Sequence, residues 1–228
     1  MLPSYIFKLS EDPIFPMVDI LGSLDEKYEY CNEIKKHLIS LGTQIYLSLS
    51  ENANPQYFDD IFEFTNGFAF KSKDYIDAGT HKVITIKNIT DNGFDATTAD
   101  RIAFNPDYKK SQLNVGDILL TMTGEVGRCG IVDQENCLLN QRVLKVSGSS
   151  PFLTLFSLIV YSDNIRNLAK GSVQQNLGLK ELSKFSIPVG KLESYQKYDV
   201  IIDKLLSIAA IQRKIIELKN LYLRKFFG

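Results

Sequence analysis

Two stretches of the chain repeat apolar residues in steps of three and four, and a region of different texture separates them. The first begins after Pro16: Ile20, Leu24, Cys31, Ile34, Leu38, Leu41 and Ile45 recur with one gap at Lys27. This spacing predicts a helix over residues 17–50 with a narrow a/d seam rather than the wider stripe of an ordinary surface helix. Asn52, Asn54 and Pro55 should end it. The second stretch starts near Leu192, after Pro188 and Gly190, and can run almost to Phe227. Its seam reads Tyr198, Ile201, Leu205, Ile208, Gln212, Ile215, Tyr222. About 34 residues at ~1.5 Å each give a rod of roughly 50 Å.

The two stretches also resemble each other. A shift of 181 residues lays Ile20 on Ile201, Leu24 on Leu205, Ile34 on Ile215 and Leu41 on Tyr222. A repeated element usually buries its apolar face against another copy, so an antiparallel pair of these helices is expected. Two unrelated amphipathic helices on one globule are the alternative.

Residues 57–190 read differently. Short β-like runs fall at 82–87, 117–123, 130–132 and 142–146. Turn signals separate them at Asp91-Asn92-Gly93, Asn105-Pro106-Asp107, Gly124 and Gly127, and one apolar helix fits 152–161. The expected fold class is therefore α+β. An N-terminal segment (1–16) precedes the first helix (17–50), one mixed globular domain follows (57–190), and the second long helix closes the chain (191–228).

Composition narrows the function classes. The 228 residues are 44% apolar and 23% charged, enough to bury a core. No apolar run approaches the ~20 residues of a membrane span. The opening MLPSYIFKLSEDP has no basic stretch followed by an apolar one, so no secretory signal is expected. Cys31, Cys129 and Cys137 form no CxxC pair, which points away from disulfides and zinc and towards a reducing cytoplasm. The net charge of −1 lacks the bulk basicity of many nucleic-acid binders, but it is unevenly spread. Residues 1–56 carry −4, residues 57–190 carry −1 and residues 191–228 carry +4, which favours packing the two long helices together.

Catalytic chemistry is sought and not found. Asn54-Pro55-Gln56-Tyr57 and Asn105-Pro106-Asp107-Tyr108 resemble the NPPY tetrapeptide of amino-methyltransferases. Both lack the second proline, and no glycine-rich strand-to-helix turn precedes them to hold a methyl donor. Both read better as turns. Glu33-Ile34-Lys35 has the ExK spacing of nucleases but lies on the seam helix without a partner aspartate on a strand. His37 and His81 have no ligand-spaced companions, and there is no P-loop. No catalytic residue, metal site or cofactor is expected.

What remains is loop chemistry suited to reading DNA. Lys71, Ser72 and Lys73 place two cations beside a hydroxyl, and Thr121 and Thr123 end an apolar run in hydroxyls. Asn140, Gln141 and Arg142 offer amide and guanidinium groups able to pair with adenine or guanine edges. Lys170, Ser172, Gln174, Gln175 and Asn176 combine a cation-bearing turn with three side-chain amides. The structural alternative for each cluster is a polar surface loop whose amides cap local backbone.

In order along the chain, these residues resemble a known family. NGFAFKSKDY (66–75), ITIKNI (84–89), VGDILLTMTGEVGRCGIV (115–132), LLNQRVLKV (138–146) and QQNLGLKELSKFSIPV (174–189) are similar to the target-recognition domain of type I restriction-modification specificity (S) subunits. ILGSLDEK (20–27) resembles the start of the family's spacer helix. The resemblance implies a non-catalytic subunit that reads double-stranded DNA. Its helices would pair as an antiparallel coiled coil, a ruler setting the gap between two half-sites. Methyltransferase (M) subunits would clamp those helices, and a restriction (R) subunit would join them. The seam residues implied are Ile34, Leu38, Leu41, Ile201, Leu205, Ile208 and Ile215.

The family's full subunits carry two recognition domains, and this sequence carries one. It therefore resembles a half-subunit, or the second half of a longer one, for which a homodimer or pairing with another half-subunit is expected. The family's Pro-Leu-x-x-Gln at the start of the last helix is altered, and only Leu192 and Gln196 keep clear places. A coiled-coil adaptor with a protein-binding middle domain is the alternative reading.

Overall fold

The computed structural model describes residues 14–169 and 176–227. The chain divides into two compact units, residues 1–39 with 207–228, and residues 40–206. Two helices reach into both, α1 (Ile14–Ser50) at one end of the sequence and α7 (Val200–Phe227) at the other.

The smaller unit is an antiparallel helix pair. Leu24, Cys31, Ile208 and Ile215 are buried together, with Tyr28, Ile34, Leu38 and Tyr222 packed against them. Asp25 pairs with Lys219, and the Gln212 amide donates to the Asn32 side-chain oxygen at 2.6 Å. Partners high in one helix are low in the other, which fixes the antiparallel sense. Ile20, expected in this seam, is 37% exposed.

In the larger unit the elements are short. After α1 come β1 (Pro55–Tyr57), α2 (Phe58–Ile61), β2 (Phe62–Asn66), β3 (His81–Ile84), β4 (Ile89–Thr90), β5 (Gly93–Phe94) and β6 (Arg101–Ile102). Then follow β7 (Gln112–Leu113), β8 (Ile118–Thr121), β9 (Cys129–Ile131), β10 (Cys137–Leu139) and β11 (Val143–Gly148). The helices α3 (Pro151–Val160), α4 (Ser162–Ala169) and α5 (Leu179–Ser183) precede β12 (Ser186–Pro188), and α6 (Leu192–Gln196) leads to α7.

Two four-stranded sheets carry the unit, in the orders β6-β3-β10-β7 and β2-β11-β8-β9. Only the β3–β10 pair among these ladders is parallel, with Val83 opposite Leu138. Two-stranded ribbons β1-β12 and β4-β5 complete the pairing. β8 is buried at every position, as a strand covered on both faces must be. Ile84, Ile89, Leu119, Val132, Leu139 and Val143 form one apolar core cluster. Val83, Ile102 and Leu138 form another beneath Phe70, Tyr75 and Tyr108. Helix α3 buries seven consecutive residues from Phe152 to Leu158, and the hydroxyls of the two polar ones, Thr154 and Ser157, donate to the Ser150 and Leu153 carbonyls.

Several sequence expectations change here. The first long helix starts at Ile14, ahead of Pro16 rather than after it, and ends at Ser50, with Asn52 beyond it at φ 57°, a conformation asparagine tolerates. Along α1 the buried positions after the half-buried Leu38 are Gly42, Tyr46 and Ser50, in steps of four, and Leu41 is 50% exposed. Leu41 is therefore not a seam residue. Glycine carries no apolar signal, yet a β-carbon at Gly42 would overlap the Phe156 ring, so the backbone itself faces the core there. Ile201 and Leu205 are buried, but in the larger unit and outside the cluster of the helix pair.

The second long helix is broken into α6 and α7 rather than continuous from Leu192. Asp199 explains the break, because its carboxylate accepts from the Ser150 hydroxyl at 2.7 Å and from the Phe152 N–H at 2.9 Å. It thus caps the first turn of α3, where orphan N–H groups and the helix dipole favour an anion. The run 82–87 also stops early. Thr85 and Asn88 exchange capping hydrogen bonds and turn the chain into a 3-10 helix, Ile86–Asn88. Finally, Asn54-Pro55-Gln56-Tyr57 is no turn: its last three residues are β1, paired with β12.

Candidate DNA-reading face

Three loops singled out from the sequence, and Leu177 just after the fourth, are joined by backbone hydrogen bonds in the larger unit. The Phe68 N–H donates to the Leu139 carbonyl at 2.8 Å, and the Gln141 N–H returns to the Phe68 carbonyl at 3.0 Å. The Met122 N–H donates to the Arg142 carbonyl at 3.2 Å, and the Leu177 N–H donates to the Met122 carbonyl at 2.9 Å. Segments around 68, 122, 141 and 177, distant in sequence, therefore lie side by side. The strand ladders put them there. Asn66 pairs with Leu144 at one end of the β2–β11 ladder, and Thr121 with Val143 at the same end of β8–β11.

The side chains differ in what they can offer. Lys71, Ser72 and Lys73 are exposed, the last two within a 3-10 turn, Ser72–Asp74. Gln141 and Arg142 are exposed as well, and so is Asn176. Lys170, Ser172, Gln174 and Gln175 lie outside the described residues.

Thr121 is a correction. It is 0% exposed, and its hydroxyl donates to the Glu125 and Arg128 carbonyls while accepting from the Arg128 N–H at 3.1 Å. Its role is to close the 121–128 loop, and it cannot reach a base. The Thr123 hydroxyl is buried too, with no hydrogen-bond partner among the described residues. Asn140 is half-buried and accepts from the Arg142 N–H at 3.1 Å, so its side chain shapes the loop that presents Arg142.

Residues missed from the sequence enrich this face. The rings of Phe68, Phe70 and Tyr108 meet mutually, with centroids 5.0–5.1 Å apart. Tyr108 sits in a 3-10 helix, Pro106–Ser111, whose start is capped by Asn105 and whose end carries exposed Lys109 and Lys110. Reading Asn105-Pro106-Asp107-Tyr108 only as a turn hid the two lysines that follow. Exposed Lys87 is a third, next to Ile86, whose side chain lies close to Gly124.

Electrostatics hold part of the face rigid. Arg128 grips Asp91 with two hydrogen bonds, at 2.8 and 2.9 Å, and reaches Glu125 at 3.4 Å. The hydrogen-bonded Asp91 raises the Arg128 guanidinium above its ordinary range, and the pair ties the β4–β5 turn to the loop after β8. Burial, then the carboxylates of Asp100 and Asp74, push the Tyr75 phenol up, so it stays neutral. Burial also pushes the Cys129 thiol up to about 12, which makes it a poor nucleophile at neutral pH.

The opposite end of the β2–β11 ladder has the reverse charge. Phe62 pairs there with Gly148, and a shallow cleft is lined by Asp59, Asp60 and Glu63 with Ser147 and Ser149. Those carboxylates repel phosphate, so one ladder has a cationic end and an acidic end. Among the described residues no group of three or more His, Cys, Asp or Glu side chains could hold a metal ion. No described helix is long and apolar enough to cross a membrane.

An α+β domain with polar, cation-bearing loops gathered at strand ends, carried with an antiparallel helix pair, defines a recognition module. The family model described as "Type I restriction modification DNA specificity domain" matches residues 55–220, and the chain belongs to that family. The fold is similar to the S subunit of a type I restriction-modification system from M. genitalium, at 15% identity and a TM-score of 0.63, over 93% of this chain and 60% of that one. It is also similar to the HsdS subunit from Thermoanaerobacter tengcongensis, at 15% identity and a TM-score of 0.53, over 91% and 54%. The chain thus spans little more than half the length of these structural relatives. No curated protein sequence matches it.

Proposed function

We propose that this chain is a DNA sequence-recognition subunit of a type I restriction-modification complex, reading one half of a bipartite target and catalysing nothing itself. The observation that carries this is the backbone-linked set of loops presenting Lys71, Lys73, Gln141, Arg142 and Asn176 in a chain of the DNA specificity family. Lysines neutralise phosphates and position the duplex, whereas the amides and guanidinium read base edges.

The helix pair is the docking platform for M subunits, and through them for an R subunit. Its support is an exposed apolar surface: Tyr30 is 67%, Leu221 63% and Ile211 51% exposed. One recognition domain supplies one half-site, so a second recognition domain, in a second copy, in another half-subunit or in a longer form of this chain, completes the target. A two-fold dimer implies an inverted repeat with a fixed spacer.

The test is methylome sequencing of cells carrying the chain with its candidate M subunit, followed by binding of variants to the target found. Lys71→Ala and Lys73→Ala should weaken binding to every duplex and flatten its salt dependence. Gln141→Ala, Arg142→Ala and Asn176→Ala should relax sequence choice, by about 1–3 kcal/mol for each bidentate pairing with a base that is removed. Wild-type affinity and target choice in all five variants would refute the reading.

A further inference from the structure

The aromatic trio at the centre of the loop face takes no part in the phosphate and base-edge contacts proposed above. Phe68 is 40% exposed, yet its position is tightly determined. Its N–H and carbonyl are both bonded to the 139–141 segment, and its ring rests on Phe70 and Tyr108, which in turn pack on the buried Val83, Ile102 and Leu138. The preceding Gly67 lies so close to the Asn140 carbonyl that a β-carbon would overlap it. A large apolar ring is thus held at the surface by a rigid base.

Its surroundings select the partner. The stretches 66–75, 105–111 and 139–142 carry five cations (Lys71, Lys73, Lys109, Lys110, Arg142) and two carboxylates (Asp74, Asp107), a net of +3. Lysine pairs that follow the ring residues closely in sequence, Lys71 and Lys73 after Phe68 and Phe70, Lys109 and Lys110 after Tyr108, suit a polyphosphate backbone better than an apolar protein hot spot. Apolar side chains amid cations are the means by which proteins press on sugars and base edges, or wedge between base steps.

We propose that Phe68 is a DNA-contacting platform residue, and that Lys109 and Lys110 form a second phosphate clamp beside Lys71 and Lys73. The proposal rests on the DNA-recognition reading and names residues that reading does not use. Phe68 supplies a contact independent of salt, and the lysine pair supplies one that releases counterions.

The experiment is fluorescence anisotropy of the full chain on a labelled mixed-sequence duplex at several salt concentrations, with thermal transitions measured in parallel. Phe68→Ala should weaken binding roughly tenfold, the scale of one aromatic contact with a nucleic acid, without changing the salt slope. Phe68→Tyr, which keeps the ring on its base, should bind like wild type. The double variant Lys109→Ala/Lys110→Ala should weaken binding and reduce the salt slope by about two. These lysines are exposed, so loss of fold does not confuse that arm. An unchanged slope in the lysine double variant overturns the proposal, as does wild-type affinity in Phe68→Ala. If either of these overturning results is found while Lys71→Ala/Lys73→Ala still flattens the slope, the platform and clamp fall while the DNA reading stands. If no variant alters binding, both fall.

Discussion

At Gly42 two residue-scale effects oppose each other. Alanine favours a helix over glycine by about 1 kcal/mol. Here its methyl would enter the ring of Phe156, itself 0% exposed and packed on Phe152 at 4.5 Å. Overpacking a filled core costs about 1–3 kcal/mol or more. The clash wins: Gly42→Ala should lower stability by about 1–2 kcal/mol, read as an earlier midpoint in urea with an unchanged slope. Gly22, with nothing nearby, supplies the control, and its alanine variant should be neutral or stabilising. Residue types were legible in the sequence, but burial was not. Thr121 and Arg142 both follow polar-loop logic, yet one is sealed under its own loop and the other faces solvent. Only the tertiary fold separates them.

At the scale of elements, the joint between α6 and α7 depends on a single carboxylate. Asp199 accepts two hydrogen bonds from the start of α3, and the Gln196 amide adds a third link to the Ser149 carbonyl at 3.2 Å. Hydrogen bonds to a charged group contribute about 1.5–3 kcal/mol where they are partly shielded. Asp199→Ala should therefore destabilise the chain by about 2 kcal/mol, with Asp199→Asn keeping part of this, as measured by thermal unfolding. The apolar pattern carried through this joint without a mark, because Tyr198 and Ile201 fit a helical period whether or not the helix is continuous. Longer elements were legible for physical reasons. β8, β11 and α3 are runs long enough for period and apolarity to register. β6 and β7 have two residues each and carry no period. β1 finds its partner at Ser186–Pro188, a pairing invisible to any local window.

For the whole molecule, the helix pair and the recognition domain should fail separately. Leu38 and Ile208 belong to the smaller unit, in or against its buried cluster. Leu38→Asp or Ile208→Asp puts an unpaired charge there, at a cost of several kcal/mol before relaxation. We expect methylation by the complex with M subunits to be lost, while the larger unit keeps its thermal transition and binds half-site DNA weakly. Full methylation would refute the ruler role, and unfolding throughout would show that the two units are not separable. The opposite charges of the two chain ends pointed to this pairing, and Asp25 with Lys219 is one ion pair that embodies it.

The hydrogen bonds that run from Leu139 to Phe68, from Arg142 to Met122 and from Met122 to Leu177 also bear on how such a protein acquires a new target. Each loop's backbone is a wall of its neighbour's site, so a loop transplanted singly from a relative would arrive with the wrong walls. A changed target should then require exchange of the whole domain between α1 and α7 rather than of any one loop.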